Sequence, residues 1–416
     1  MNLFDDLDKR GLLDNFSDRE KVTELLSTPH TIYCGFDPSA KSLQLGNFIM
    51  ISILQRLQKQ GHRIIAVLGG ATGMIGDPSG KKSERKFLTP EQVEDNAQCI
   101  KHQLEKYLDT SDPSKGIIVN NYDWWSKINT LYYLRDYGKN FQINYMLGKE
   151  IVKSRLEVGI SYAEFSYMIL QAGDFAYLYE KYGCNMQIGG GDQWGNLTTA
   201  LDFVRRKDGS DVPCEVFSFK LITDSQGKKF GKSESGALYL DPTMTSPYRI
   251  YQYFINVSDA DVLRYLYIFD QRPIEEINEI YKAHMEHPEF RNGQKVLADT
   301  IVTALHGKDI SLMCEKMTNA LFKDDFSNLS AENLSELTDG LVVANVEGEI
   351  NILDALILTK LASSKREARE FVLNNAVKIN GNKINDVNHI LSSVDSLPGG
   401  YIFIKRGKKL YACLKY

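Results

Sequence analysis

Five short apolar runs constrain this chain most: TIYCGF (31–36), IIAVL (64–68), GIIVNN (116–121), MQIGG (186–190) and EVFSFKLI (215–222). They read as buried strands, and helical patterns separate most of them. Strand alternating with helix predicts a parallel sheet joined by right-handed crossovers. Two helix starts are well signalled. Thr89-Pro90-Glu91-Gln92 offers an N-cap, a proline at the first helical position and a capping-box partner, and Ser161 with Glu164 repeats the box. Residues 121–185 are too many for one crossover and read as an insertion suited to an interface.

At 416 residues the chain exceeds one ordinary core, so two or three domains are expected. After residue 235 the strand signals fade, and helical patterns run from Ser246 to Phe322 with breaks at Pro273, His287-Pro288 and Gly307. The polar, acidic segment 323–340 is the best linker candidate. Beyond about 350 the text becomes compact again, with two short helices and then strands around glycine turns at 377–381 and 401–416. No window approaches the roughly 20 apolar residues of a membrane span, and MNLFDDLDKRGLLDN at the start has no apolar stretch behind a basic region, so a cytoplasmic protein with no membrane contact is expected. The six cysteines lie far apart without a C-x-x-C, and read as small core residues rather than a zinc site or disulfide framework.

The net charge of −5 hides an asymmetry. Residues 350–416 carry 11 Lys/Arg against 5 Asp/Glu, leaving 38 against 49 in the rest. A basic tail on an acidic body is either a solvated face or a surface for RNA phosphates.

Generic nucleotide motifs fail. FGKSES would complete a P-loop only with glycine at 226, where Gln226 stands, and in GGGDQWG the third glycine of a dinucleotide fingerprint falls on Trp194. What remains is a glycine corner, YCGFDPSAKSLQLGN (33–47), at the end of the first apolar run and the start of a helix over 46–60. Ligands bind beyond the carboxyl ends of parallel strands, where helix amino termini favour phosphate. Gly46 there would let a flat base lie against the backbone; a plain strand-to-helix turn reads equally well. On the helix over 161–182, Tyr167, Gln171 and Asp174 fall at i, i+4 and i+7 and share a face. A phenol, an amide and a carboxylate make a poor core stripe, but could hold an ammonium group and a phenolic hydroxyl. Tyr33, Asp77, Gln187, Asp192 and Gln193 add polar groups at strand ends. KKFGKSESG (228–236) is either a mobile charged loop or a segment whose Lys229 and Lys232 close over a polyphosphate.

These motifs, with GGATGMIGDPSGKKSER, NNYDW, LRDYGK, EFSYMILQAGDF and QIGGGDQWGN between them, stand in the order and spacing of bacterial tyrosyl-tRNA synthetases, a class I family that the whole chain resembles. The resemblance implies an α/β fold: a Rossmann-like parallel-sheet catalytic domain (1–222, with the insertion of about 121–185 at a homodimer contact), a signature loop and α-helical domain (223–322), a linker (323–348) and a small α+β RNA-binding domain (349–416). It implies that Tyr33 and Asp174 bind the phenol of L-tyrosine, while Asp77, Tyr167, Gln171 and Gln193 hold its ammonium end. ATP would lie on Gly35, Asp37, Ser39, Gly46, Gly190, Asp192 and Lys232. Gln44, Asn47, Lys82, Arg85, Lys229, Lys232 and Ser233 would form the catalytic set, and tRNA(Tyr) would meet Lys365, Arg366, Arg369, Lys405, Arg406, Lys408 and Lys409. Magnesium would accompany ATP, with no tightly bound metal. The implied reaction is tyrosine activation by ATP followed by transfer to tRNA.

Three positions depart from the family pattern. Gln44 stands where histidine is usual and cannot be cationic; Gly173 and Gly191 stand where a larger side chain and a serine are common. A synthetase-like RNA-binding protein with lost or reduced catalysis is therefore the alternative reading.

Overall fold

The computed structural model describes residues 3–79, 87–227, 230–233, 236–407 and 410–416. The chain divides into two compact units, Met1–Met244 with Ser258–Gly293, and Thr245–Val257 with Gln294–Tyr416. The helical stretch beginning at Ser246 is thus shared between units.

The first unit is built on a six-stranded sheet: β1 (Leu13–Phe16), β2 (Thr31–Phe36), β3 (Arg63–Leu68), β4 (Gly116–Asn120), β5 (Cys184–Gly190) and β6 (Glu215–Phe219), in the order β1-β6-β5-β2-β3-β4. All five expected runs are strands, and they pair in parallel. The sixth, β1, runs antiparallel to β6 at the edge. Its sequence, LDNF, is too short and too polar to announce a strand. Order reverses between β2 and β5, where the chain, having built outward through β3 and β4, returns to the other side of β2. That crevice is where a doubly wound sheet accepts a ligand.

Helix α1 (Leu45–Lys59) follows β2, α2 (Gly70–Ile75) follows β3, and α3 (Pro90–Tyr107) carries the expected box, with Gln92 N–H donating to Thr89 Oγ1 and Thr89 N–H to Gln92 Oε1. Helix α4 (Tyr162–Tyr182) begins with only half of one. Ser161 Oγ accepts from Glu164 N–H at 3.2 Å, but the Glu164 carboxylate turns to Arg155 in a buried ion pair. A charged partner out of water outweighs a backbone amide. Helix α5 (Trp194–Asp208) packs beside α4, and α6 (Asp259–Phe269) brings Phe269 onto Phe48 of α1 with stacked rings 5.8 Å apart. The core between sheet and helices includes Tyr33, Ile65, Trp124, Trp125, Phe175 and Phe203. Cys34, Cys184, Cys214, Cys314 and Cys413 are buried across the chain, and Cys99 is half-buried.

In the second unit, helices α7 (Lys308–Lys323) and α8 (Ala331–Leu337) precede a five-stranded sheet of order β12-β11-β14-β15-β9. Its strands are β9 (Val342–Asn345), β11 (Val377–Ile379), β12 (Asn382–Ile384), β14 (Tyr401–Arg406) and β15 (Leu410–Lys415), while β10 (Ile350–Asn351) pairs β13 (Ile390–Leu391) alone. The β11–β12 turn is Asn380-Gly381, both at positive φ, which suits a tight hairpin. Helices α9 (Ile352–Leu358) and α10 (Lys365–Leu373) cover one face through Leu356, Ala368 and Val372. Segment 323–348, read as a connection, contains α8 and β9, and Asp324 in it accepts from Lys378 (2.5 Å), Lys405 (2.7 Å) and Tyr411. Its acidic composition reflects one carboxylate inside a basic sheet as well as solvation.

Among the described residues no helix is long and apolar enough to cross a membrane.

Candidate active site

A cavity of about 350 Å³ opens in the crevice at the carboxyl ends of β2 and β5. Its walls include Tyr33, Gly35, Asp37, Ser39, Gly46, Asn47, Asp77, Tyr167, Gln171, Asp174, Gly190, Asp192 and Gln193, so all six residues expected for tyrosine and six of the seven expected for ATP lie around one space.

At one end, Tyr33 Oη, at the middle of β2, is buried without a hydrogen bond among the described residues, as is Gln187 Oε1 on the paired residue of β5. Burial pushes the Tyr33 phenol well above its ordinary value, and the Asp174 charge adds to this. Asp174 accepts from Trp125 Nε1 (2.7 Å), Trp124 Nε1 (2.9 Å) and Asn121 Nδ2 (3.0 Å). Burial still pushes its carboxyl up to about 7, against those three hydrogen bonds. A buried phenol O–H with no partner beside a carboxylate that can accept one more donor matches a hydroxylated aromatic ring.

Further out, Tyr167 Oη donates to Asp37 Oδ2 at 2.8 Å, and Thr72 Oγ1 donates to Asp37 Oδ1 at 2.8 Å. Gln193 Nε2 donates to Asp77 Oδ2 at 2.6 Å, and Asp77 Oδ1 accepts from Ser79 N–H. Asn196 Nδ2 braces Gln193 Oε1 at 3.0 Å. Gln171 Oε1 is buried and makes no hydrogen bond among the described residues. Two held carboxylates and an unpaired amide oxygen form an acceptor-rich site for an ammonium group.

At the other end stands the amino terminus of α1. A Cβ on Gly46 would meet nothing within 4 Å, so the space beside its backbone is open to the cavity. Asn47 Oδ1 accepts from Gln44 N–H at 2.9 Å and closes the first turn. Gln44 bridges to Tyr239 and is not among the described wall residues. The backbone of residues 230–233 reaches this same turn: Leu238 N–H donates to Gly231 O, Leu45 N–H to Leu238 O, and Gly231, at positive φ, sits so that a Cβ would lie 3.2 Å from Gly46 N. Strand β7 (Lys232–Ser233) pairs there with β8 (Gly236–Ala237). Lys82, Arg85, Lys229, Lys408 and Lys409 lie outside the described residues, and for Lys232 and Ser233 the backbone alone is described.

Sequence reasoning missed the support for these groups. Asn121 and Trp124 stand in the quoted NNYDW stretch, Thr72 and Ser79 in GGATGMIGDPSGKKSER and Asn196 in QIGGGDQWGN, but none received a role; Trp125, one residue beyond NNYDW, was not singled out. Of the departures, Gly173 is explained by space, since a Cβ there would stand 2.4 Å from Trp125 Cζ2; Gly191 faces Asp14, whose Oδ2 would lie 2.5 Å from a Cβ. In the second unit Lys365, Arg366 and Arg369 are exposed along α10, whereas Lys405 is held by Asp324 and Arg406 donates to Leu361 O.

A family model described as class I tRNA synthetases for W and Y matches residues 26–323, and one for the SYY-like C-terminal domain of tyrosine–tRNA ligases matches 333–414. The tyrosine–tRNA ligase of Bacillus caldotenax is 43% identical over 419 residues, and that of Desulfitobacterium hafniense 44% over 418, each match covering 100% of both chains. A truncated mitochondrial tyrosyl-tRNA synthetase from Aspergillus nidulans superposes with a TM-score of 0.68 at 31% identity, covering 76% of this chain and 93% of that one. A tryptophanyl-tRNA synthetase from Encephalitozoon cuniculi, at TM-score 0.56 and 15% identity over 74% and 86% of the two chains, shares the fold.

Proposed function

Since the chain belongs to the class I tRNA synthetases for tryptophan and tyrosine, within them to the tyrosine–tRNA ligases, we propose how its pocket divides between the substrates of that reaction. The activity is tyrosine–tRNA ligation: the tyrosine carboxylate attacks the α-phosphorus of ATP, pyrophosphate leaves, and the tyrosyl group passes to the terminal adenosine of tRNA. The full-length match to ligases favours this over an RNA-binding protein without catalysis.

One observation carries the assignment. Tyr33 Oη, buried and unpaired, stands beside an Asp174 carboxylate already aimed by three donors. The substrate hydroxyl donates to Asp174 Oδ2 and accepts from Tyr33, while phenylalanine leaves both unsatisfied, and that is the asymmetry by which a polar site rejects an analogue lacking the group. Asp77, Tyr167, Gln171 and Gln193 hold the ammonium end. This directs the carboxylate toward Gly46 and Asn47, where the open backbone of the α1 amino terminus takes ATP.

The chemistry asks for positioning and charge stabilisation rather than a protein nucleophile. Cys34, the thiol on the cavity wall, is pushed up to about 12 by burial and does not serve as one. Lys229 and Lys232, with Lys82 and Arg85, stabilise the leaving phosphates, and Gln44 contributes an amide where the family has histidine. Magnesium arrives on ATP and is carried by phosphate oxygens.

The exposed Lys365, Arg366 and Arg369 on α10 serve tRNA. The apolar side chains left exposed in the 121–185 insertion, Leu131, Ile143, Val158 and Tyr162 among them, are covered by a second copy of the chain. Its place of action is the cytoplasm. Charging of bulk bacterial tRNA with labelled amino acids tests the reading. Transfer of tyrosine, with no transfer of phenylalanine or tryptophan, is expected; transfer of tryptophan in preference to tyrosine would overturn it.

A further inference from the structure

Asp174 carries an unusual load for a carboxylate that must also receive a ligand. Two indole N–H groups converge on Oδ1, from Trp124 at 2.9 Å and Trp125 at 2.7 Å, while Asn121 donates to Oδ2 at 3.0 Å. The two tryptophans reach that oxygen from different surroundings. Trp124 stacks on Tyr177 with centroids 4.4 Å apart, and Trp125 lies tilted against Tyr137 at 4.9 Å.

Room for Trp125 comes from the residue beside the carboxylate. A Cβ on Gly173 would stand 2.4 Å from Trp125 Cζ2, 2.6 Å from Cη2 and 3.1 Å from Tyr137 Cε1, distances at which both rings must move. Gly173 lies inside α4 and is not at positive φ, so conformational freedom does not account for it, and a glycine in a helix interior costs stability relative to alanine. The glycine and the tryptophan, 48 positions apart, are explained together: one is absent volume, the other fills it.

We propose that Trp125 is a positioning residue for Asp174 and a determinant of tyrosine specificity, admitted to the site by the missing side chain at Gly173. With both indoles on Oδ1, that oxygen is pinned and its lone pairs are taken, so the phenol hydroxyl meets only Oδ2, opposite Tyr33. The inference rests on the reading of Asp174 as the group that receives the phenol.

Trp125→Phe keeps an aromatic ring and removes the N–H. In tyrosine-dependent exchange of pyrophosphate into ATP, the KM for tyrosine rises roughly tenfold, kcat and the KM for ATP change little, and discrimination against phenylalanine falls by the same factor. The pH midpoint of kcat/KM for tyrosine also moves upward, because a hydrogen bond to the ionised carboxylate has been lost. The other titratable groups around Asp174, namely Asp37, Tyr33, Tyr137 and Tyr167, are unchanged in the variant, and loss of packing alone, by admitting water to a carboxyl that burial raises, would move the midpoint down rather than up.

Gly173→Ala, which drives a methyl into Trp125, reproduces the tyrosine defect. Combined with Trp125→Phe it adds little, since a phenyl ring does not reach the positions of Cζ2 and Cη2. A Trp125→Phe enzyme with native KM and pH midpoint, or costs of the two changes that simply sum, overturns the proposal. Asp174→Asn separates the two readings. If it erases the preference for tyrosine while Trp125→Phe does nothing, only the role of Trp125 falls; if it leaves the preference intact, the assignment of Asp174 and the proposal fall together.

Discussion

Tyr33→Phe should weaken function and strengthen the fold at once, for one reason. Tyr33 is 2% exposed and its Oη has no hydrogen-bond partner among the described residues. A buried hydroxyl in that state costs about 1–3 kcal/mol, which the variant recovers, while its ring keeps the contact with Phe175 at 5.6 Å between centroids. For a unit of this size ~1 kcal/mol corresponds to ~2 °C in the unfolding midpoint, so scanning calorimetry without ligands should find the variant more stable by about that much or more. With tyrosine bound the sign reverses. The hydrogen bond to the substrate oxygen is lost, worth about 0.5–1.5 kcal/mol, so the KM for tyrosine rises roughly two- to tenfold. Phenylalanine leaves Oη as unpaired as it is in the free chain and so gains nothing from the change, and the two amino acids approach each other by the same roughly two- to tenfold in exchange assays. A lower midpoint in the ligand-free variant, or an unchanged preference for tyrosine, would refute the reasoning.

Three further expectations follow from particular contacts. Gly46→Ala finds open space for its methyl and favours the helix by up to about 1 kcal/mol, so it folds at least as well as the native chain; the KM for ATP rises while tyrosine affinity in equilibrium dialysis stays the same. Burial raises the Asp324 carboxyl, but hydrogen bonds from Lys378, Lys405 and Tyr411 outweigh it and hold the group at about 2. With its folded value below the unfolded one, the stability it contributes is present above about pH 4 and is lost as pH falls toward 2, and Asp324→Asn flattens acid unfolding followed by circular dichroism over that window. Reversal of charge at Lys365, Arg366 and Arg369 weakens tRNA binding and lowers its salt dependence without touching adenylate formation, whereas reversal at Lys405 also destabilises the second unit, because it sets a carboxylate against Asp324.

What the sequence disclosed and what it withheld follow from the range of the interactions. The five parallel strands were readable because burial on both faces writes a continuous apolar run, and Tyr167, Gln171 and Asp174 because helical spacing alone places them on one wall. β1 was not, since four residues at an antiparallel edge carry little pattern. The Glu164 side chain has both a local and a distant use, and only the fold decides between Ser161 and Arg155. Lys405 was expected to meet tRNA from a basic tail, yet its side chain is held by Asp324, 81 residues earlier. Gly173 and Trp125 are the sharpest case. Glycine in a helix reads as a weakness and Trp125 drew no expectation, and their fit becomes visible only when the ring is found in the space the side chain lacks.

The central claim is that this pocket activates tyrosine with Gln44 at the start of α1 in place of the family's histidine. Exchange of labelled pyrophosphate into ATP, dependent on tyrosine and run on the native chain beside Gln44→His, measures that step without tRNA. The account predicts robust exchange by the native chain, with the histidine variant faster by no more than about tenfold, the worth of one charge-assisted hydrogen bond over a neutral one. No exchange in the native chain, restored by histidine, would contradict it and leave Gln44 as the mark of a synthetase fold that no longer performs its chemistry.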